Sequence, residues 1–140
     1  MRSRTSLTRR AILSSWLGLM LAGCGGVTEI HSIASDERGL KELGRVYRDF
    51  ATKKKRGPKN LKELGIKGQQ YPIAVEMIKS GDLVVQWGAP LSPEGKTANA
   101  ILAYVKTGPE RGGNVLMQDG MTINKMTADE FKTAPKASSR

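Results

Sequence analysis

From Asp36 onward, apolar residues recur at steps of three and four: Leu40, Leu43, Val46, Tyr47, Phe50 and Ala51. That spacing places them on one face and predicts an amphipathic helix starting near Ser35 or Asp36. Gly39 and Gly44 interrupt it and weaken it by up to about 1 kcal/mol each relative to alanine. Asp36 and Glu37 at its start and Lys53-Lys54-Lys55-Arg56 at its end suit the helix dipole, and Gly57-Pro58 stops it. Asn60-Leu61-Lys62-Glu63-Leu64 reads as one helical turn with Asn60 as its cap and Glu63 at the reciprocal position. Pro72 opens a further short helix carrying Ile73, Met77 and Ile78, and Gly81 supplies a left-handed stop.

Beyond Gly81 the pattern changes to strands. Leu83–Trp87 is short, apolar and β-branched, and Ala100–Val105, Asn114–Gln118 and Met121–Lys125 read as the further strands. Polar stretches rich in Gly and Pro separate them, at Gly88–Asn99 and Thr107–Gly113. Asp119-Gly120 predicts a two-residue type I′ hairpin turn, which needs positive φ at both positions. In that register Leu116 faces Ile123, and Met117 meets Thr122. Thr127-Ala128-Asp129-Glu130 is a capping box for a last short helix ending near Lys132. The expected fold is α+β: an N-terminal amphipathic helix packed on a small antiparallel sheet of three or four strands. The domain spans 35–133, and 134–140 is expected to be a frayed, flexible tail.

The N-terminal pattern is of another kind. Arg2, Arg4, Arg9 and Arg10, with no acidic residue among them, precede an apolar run of 13 residues from Ala11 to Gly23. A basic stretch, an apolar stretch and small residues form the order of a secretory signal. The run falls short of the roughly 20 residues of a membrane span. Thr8-Arg9-Arg10-Ala11-Ile12-Leu13 resembles a twin-arginine export signal, with Ile12 where Phe and Ser14 where Lys is preferred. A generic basic n-region explains the same arginines.

Leu21-Ala22-Gly23-Cys24 resembles the lipobox of bacterial lipoproteins, and Cys24 is the sole cysteine. The resemblance implies that the Cys24 thiol receives a diacylglyceryl group, that cleavage falls between Gly23 and Cys24, and that 1–23 is removed. Residues 24–34, small and polar, are then a tether. It also implies a cell-envelope protein held in a membrane by lipid. Gly25 in place of an aspartate points to the periplasmic face of the outer membrane, where the cell has one.

Loss of the signal changes the charge. Without its four arginines, 19 Lys and Arg remain against 13 Asp and Glu, and seven of the 19 lie in Lys53–Lys67. Elsewhere the balance is 12 against 12. Lys53, Lys54, Lys55, Arg56 and Lys59 are therefore the candidate anion-binding patch, continued by Lys62 and Lys67 and opposed by Glu63. Anionic lipid headgroups, an acidic envelope polymer or another envelope protein are its candidate partners. A solvated helix end is the plainer reading. Nucleic acid is disfavoured by the compartment and by the lack of interleaved aromatics.

Catalytic chemistry finds little support. His31 stands alone in the expected tether, with no cysteine or carboxylate cluster beside it. Glu76, Asp82, Glu94, Glu110, Asp119, Asp129 and Glu130 have no metal-ligand spacing, and the last three have turn or capping positions. No nucleophile elbow, phosphate loop or zinc motif occurs. A hydrolase using Asp82 or Glu94 is the weakest of the readings. No cofactor or metal is expected, and Trp87 and Tyr104 read as packing residues.

Ile101–Phe131 is similar to the C-terminal region of prepilin-like proteins with a processing-associated His-x9-Asp-Gly motif. The likeness rests on Gly112-Gly113-Asn114-Val115-Leu116-Met117-Gln118-Asp119-Gly120. It implies a pseudopilin-head-like fold in which this hairpin closes a sheet on a long helix. Leu40–Phe50 resembles the solvent half of that helix, and Pro58–Leu64 resembles the short segment after it in pseudopilins. The motif histidine falls on Pro109, and a lipobox replaces the prepilin cleavage site and apolar assembly helix. Two roles are expected from these features: a non-catalytic envelope binding or scaffolding domain, or an accessory component of a secretion or pilus-type system.

Overall fold

The computed structural model describes residues 26–66, 69–92 and 99–139, with backbone alone for 26–34. The first helix, α1, is Gly26–Lys54. It begins at Gly26, not at Ser35 or Asp36, so most of the expected 24–34 tether is helical. From Val27 to Arg38 the chain contains neither Gly nor Pro, and nothing interrupts the helix there. The predicted apolar face holds: Leu40, Leu43 and Tyr47 are fully buried and Val46 nearly so.

The two interior glycines of α1 turn out to be points of close approach. A Cβ on Gly39 would lie 2.5 Å from Met77 Sδ, and one on Gly44 would lie 2.5 Å from the Gly120 carbonyl oxygen. Lost helix propensity is offset by the proximity those neighbours gain. After Lys54 the chain turns sharply. Lys55 adopts a left-handed φ of 58°, and Gly57 and Pro58 are buried. At Gly57 a Cβ would sit 2.1 Å from Ala89 O and 2.7 Å from Tyr47 Oη. The Tyr47 hydroxyl donates to Ala89 O at 2.7 Å, which satisfies a polar atom at the centre of the core.

Two short helices come next, α2 (Leu61–Leu64) and α3 (Pro72–Ser80). Asn60 caps α2 as predicted, accepting from Glu63 N–H at 2.9 Å. At α3, Tyr71 offers no side-chain cap. Glu42 of α1 does so instead, accepting from Ile73 N–H at 3.1 Å and Ala74 N–H at 3.0 Å. A carboxylate at a helix N-terminus also suits the dipole. Gly81 ends α3 with φ 81°.

The remaining elements are β1 (Leu83–Val85), β2 (Ile101–Val105), α4 (Gly108–Arg111), β3 (Gly113–Met117), β4 (Ile123–Met126) and α5 (Ala128–Thr133). The strands form one antiparallel meander in the order β1-β2-β3-β4, so the α+β class holds. A register shift between Ile101 and Ala103 breaks the two-residue alternation of β2. Leu102, Ala103 and Val105 consequently join Leu116 in the core shared with α1, along with Leu83 and Val85. Ile101, Val115 and Met117 face the other way, where Phe131 of α5 covers them. Tyr104 packs edge-on against Phe131, with ring centroids 4.7 Å apart.

Three expectations are corrected here. Thr107–Gly113, expected as loop, contains α4: Pro109 at its first turn lacks an N–H that no helix would use. The hairpin turn is wider than a type I′ turn. Gly120 N–H donates to Met117 O and Met117 N–H to Thr122 O, both at 2.9 Å. Gly120 has φ 69°, while Asp119 is not among the positive-φ residues. Asp119 instead accepts from the N–H groups of Met121 and Thr122, both at 2.8 Å. Leu116 still pairs with Ile123, because widening a loop by one residue on each side preserves the register. Finally, 134–140 is not a frayed tail as far as it is described. Ile101 N–H donates to Pro135 O at 2.8 Å, and Ala137 N–H donates to Ile101 O at 2.9 Å. Ala137 is buried in the α1-side core, and Lys136 Nζ sits 4.1 Å from the centre of the Phe131 ring.

Candidate functional site

Cys24, Gly23 and the whole stretch 1–25 lie outside the described residues, as do Lys67 and Glu94. His31 falls within the backbone of α1. The candidate site that can be built from side chains is therefore the basic stretch.

Lys53 and Lys54 end α1, beside its carbonyl-rich terminus. The left-handed Lys55 and the buried Gly57-Pro58 reverse the chain, so Lys59 and α2 return beside that end. One acid joins the two limbs. Arg56 Nη1 donates to Glu63 Oε2 at 3.1 Å and Nη2 to Glu63 Oε1, a two-pronged fork. The Lys59 backbone N–H adds a third bond to Glu63 Oε2 at 2.6 Å. The Arg56 guanidinium also lies 5.5 Å from the centre of the Phe50 ring and donates to Gly57 O at 3.1 Å. These bonds, Arg56 foremost, hold the Glu63 carboxyl at about 2; the same fork raises Arg56.

The patch therefore divides by role. Within the candidate patch Arg56 is a strut, and its charge is matched by Glu63. Lys53, Lys54, Lys55 and Lys59 are exposed, and so is Lys62 on α2. Lys55 and Arg56 also line a shallow hollow of about 510 Å³ with Ala51, Thr52, Pro90 and Leu91. Chemically, the rim offers ammonium groups to an anionic surface and no nucleophile paired with a base.

A second concavity, an open groove of about 960 Å³, lies toward the other end of α1. Asp36, Asp82, Lys106, Arg111 and Lys125 line it, with Met77, Val105 and Met126 among its apolar parts. Burial pushes the Asp36 carboxyl up, and the neighbouring charge of Asp82 adds to this. Ser80 Oγ donates to Asp82 Oδ2 at 2.6 Å. Asp36 reads in the sequence as a helix-dipole residue and Asp82 as an isolated acid. No pattern in the chain announces that they face one groove.

The other candidates have structural places. Burial pushes Asp119 up, but bonds from the Thr122 hydroxyl and the Met121 and Thr122 N–H groups outweigh it and lower the carboxyl. Glu130 is lowered by the Thr127 N–H and hydroxyl in the predicted capping box. Asp129 pairs with Lys132 at 3.3 Å. Trp87 packs against the α1-side core. Glu76 and Glu110 are exposed. Among the described residues, no three His, Cys, Asp or Glu side chains cluster as metal ligands, and no helix is long and apolar enough to cross a membrane.

No known protein family, curated protein or solved structure matches this chain.

Proposed function

We propose that this chain is a lipid-anchored, non-catalytic cell-envelope protein whose α+β domain binds or scaffolds another envelope component. The observation that carries the reading is the lone Cys24 behind Leu21-Ala22-Gly23, at the end of a basic and then apolar segment. Cys24 stands two positions before the start of α1. Acyl chains there attach the lipid almost directly to the helix on which the domain is built. Buried acyl chains contribute about 0.8 kcal/mol per CH2, so two or three on one residue give a stable anchor. The exposed lysine rim supports a binding role. Fractionation tests the proposal: the wild-type protein is expected in the detergent-extractable membrane fraction, with mature protein beginning at Cys24. A mature form beginning elsewhere, recovered in the soluble fraction, would contradict it.

A second reading, an accessory pseudopilin-like component of a secretion or pilus-type system, draws on one structural observation. The long α1 packs on an antiparallel meander, and the Gly112–Gly120 segment supplies the first strand and the turn of a hairpin whose turn rests on Gly44. Co-purification separates the roles. Recovery with pseudopilins favours the second, and recovery with cell-wall material or alone favours the first.

A further inference from the structure

Among the described residues, no carboxylate closes a salt bridge with the lysines of the rim. The Arg56–Glu63 fork fixes the end of α1 to α2 and takes up the only acid in the stretch 53–63. Lys53, Lys54, Lys55, Lys59 and Lys62 are left exposed around it. The body of α1 contrasts with this. From Asp36 to Asp49, four basic residues (Arg38, Lys41, Arg45 and Arg48) meet four acids (Asp36, Glu37, Glu42 and Asp49). Two of these pairs are closed as salt bridges, Lys41–Glu37 at 2.5 Å and Arg38–Glu42 at 3.7 Å. The flank of the helix is therefore electrostatically near neutral, and attraction to an anionic surface is confined to one end.

Distance then selects the partner. At about 1.5 Å per residue, the 29 residues of α1 span about 43 Å. With acyl chains on Cys24, the rim can never be much farther than that from the bilayer. A contact with that bilayer is intramolecular, at a high effective concentration, whereas a separate polymer must be met by diffusion. Each lysine that comes within about 8 Å of an anionic surface, the screening length at physiological salt, gains about fivefold in partitioning.

We infer that the rim Lys53, Lys54, Lys55, Lys59 and Lys62 is a second membrane contact, docking on anionic headgroups of the bilayer that holds Cys24. The inference rests on the lipid anchoring proposed above. The acylated protein, extracted from membranes and reconstituted, tests it. A dye on Thr52→Cys, an exposed position beside the rim, reports its height by energy transfer to an acceptor lipid. Transfer is expected to be high in phosphatidylcholine vesicles containing phosphatidylglycerol and low in phosphatidylcholine alone. Added salt should abolish the difference. Each Lys→Gln change at 53, 54 or 59 should lower the ratio of docked to undocked protein about fivefold, while Arg45→Gln on the balanced flank should not. Equal transfer in the two vesicle types would overturn the inference, as would equal losses from the rim and flank variants. Displacement by polyglutamate at a lower charge concentration than the vesicles present would assign the rim to a polyanion instead, and also overturns it. Failure of the anchoring itself is read separately, from the mass of the same preparation before reconstitution.

Discussion

Between Gly39 and Tyr47, α1 meets its neighbours closely, with backbone blocking an added methyl at Gly44, whereas between Lys53 and Lys62 the chain turns five ammonium groups to solvent. The first region is held by fit: Leu40, Leu43 and Tyr47 are fully buried, and Gly44 lies under the backbone of the Asp119-Gly120 turn. The second is held by one fork and a short bend over Gly57-Pro58. The difference separates two kinds of failure. Changes in the first region destabilise the domain, while changes to the lysines of the second alter what its surface attracts and leave the fold standing.

The sharpest contrast is expected from Leu43→Ala. Truncating a fully buried leucine costs about 2–5 kcal/mol through lost burial and a residual cavity, read as a lower midpoint in urea unfolding. A loss like that of an exposed site would break the comparison. Gly44→Ala decides between propensity and fit. Propensity alone predicts a gain of about 1 kcal/mol. A Cβ 2.5 Å from Gly120 O forces backbone to move, at about 1–3 kcal/mol, so a net loss is expected. Stabilisation would show that the helix and hairpin do not meet as described. Tyr47→Phe removes the bond to Ala89 O and is expected to lose about 1 kcal/mol with the secondary structure intact by circular dichroism.

Glu63→Gln gives the smallest effect and sits in the other region. The folded Glu63 carboxyl, at about 2, lies below its ordinary 4.5. Its contribution is present above about 4.5 and is lost as pH falls toward 2. The variant should be slightly less stable than wild type at neutral pH by urea unfolding and converge with it as pH falls toward 2, giving a shallower acid decline across that window. An unchanged acid decline would remove the fork from the account. Asp36, whose carboxyl is raised, works in the opposite sense: it favours the fold at low pH and loses that contribution as pH rises through its raised value.

Much of the first region was legible. The stripe Leu40–Tyr47 depends on spacing alone, and so do the caps at Asn60 and Thr127, because each is closed within three residues. What depends on distant partners was not. Glu42 caps α3 across 31 positions, and no local pattern marks it. Pro135 and Ala137 join the sheet through backbone groups on Ile101, which carry no sequence signature. The Asp119-Gly120 pair located the hairpin and its register but not its turn, because the Asp119 side chain is bonded to two backbone N–H groups. In the second region the charges were plain, but the pairing of Arg56 with Glu63 was hidden by the reversal at Gly57-Pro58. The facing acids Asp36 and Asp82 came together only through the fold.

All of the surface chemistry takes its meaning from where the chain is held, so the anchor at Cys24 is the central claim. Intact mass spectrometry of membrane-extracted protein, beside the Cys24→Ser variant, tests it directly. The account predicts a wild-type species beginning at Cys24 and heavier than residues 24–140 by the mass of its acyl groups, absent in Cys24→Ser. An unacylated mature species, or one beginning at any other residue, would contradict it.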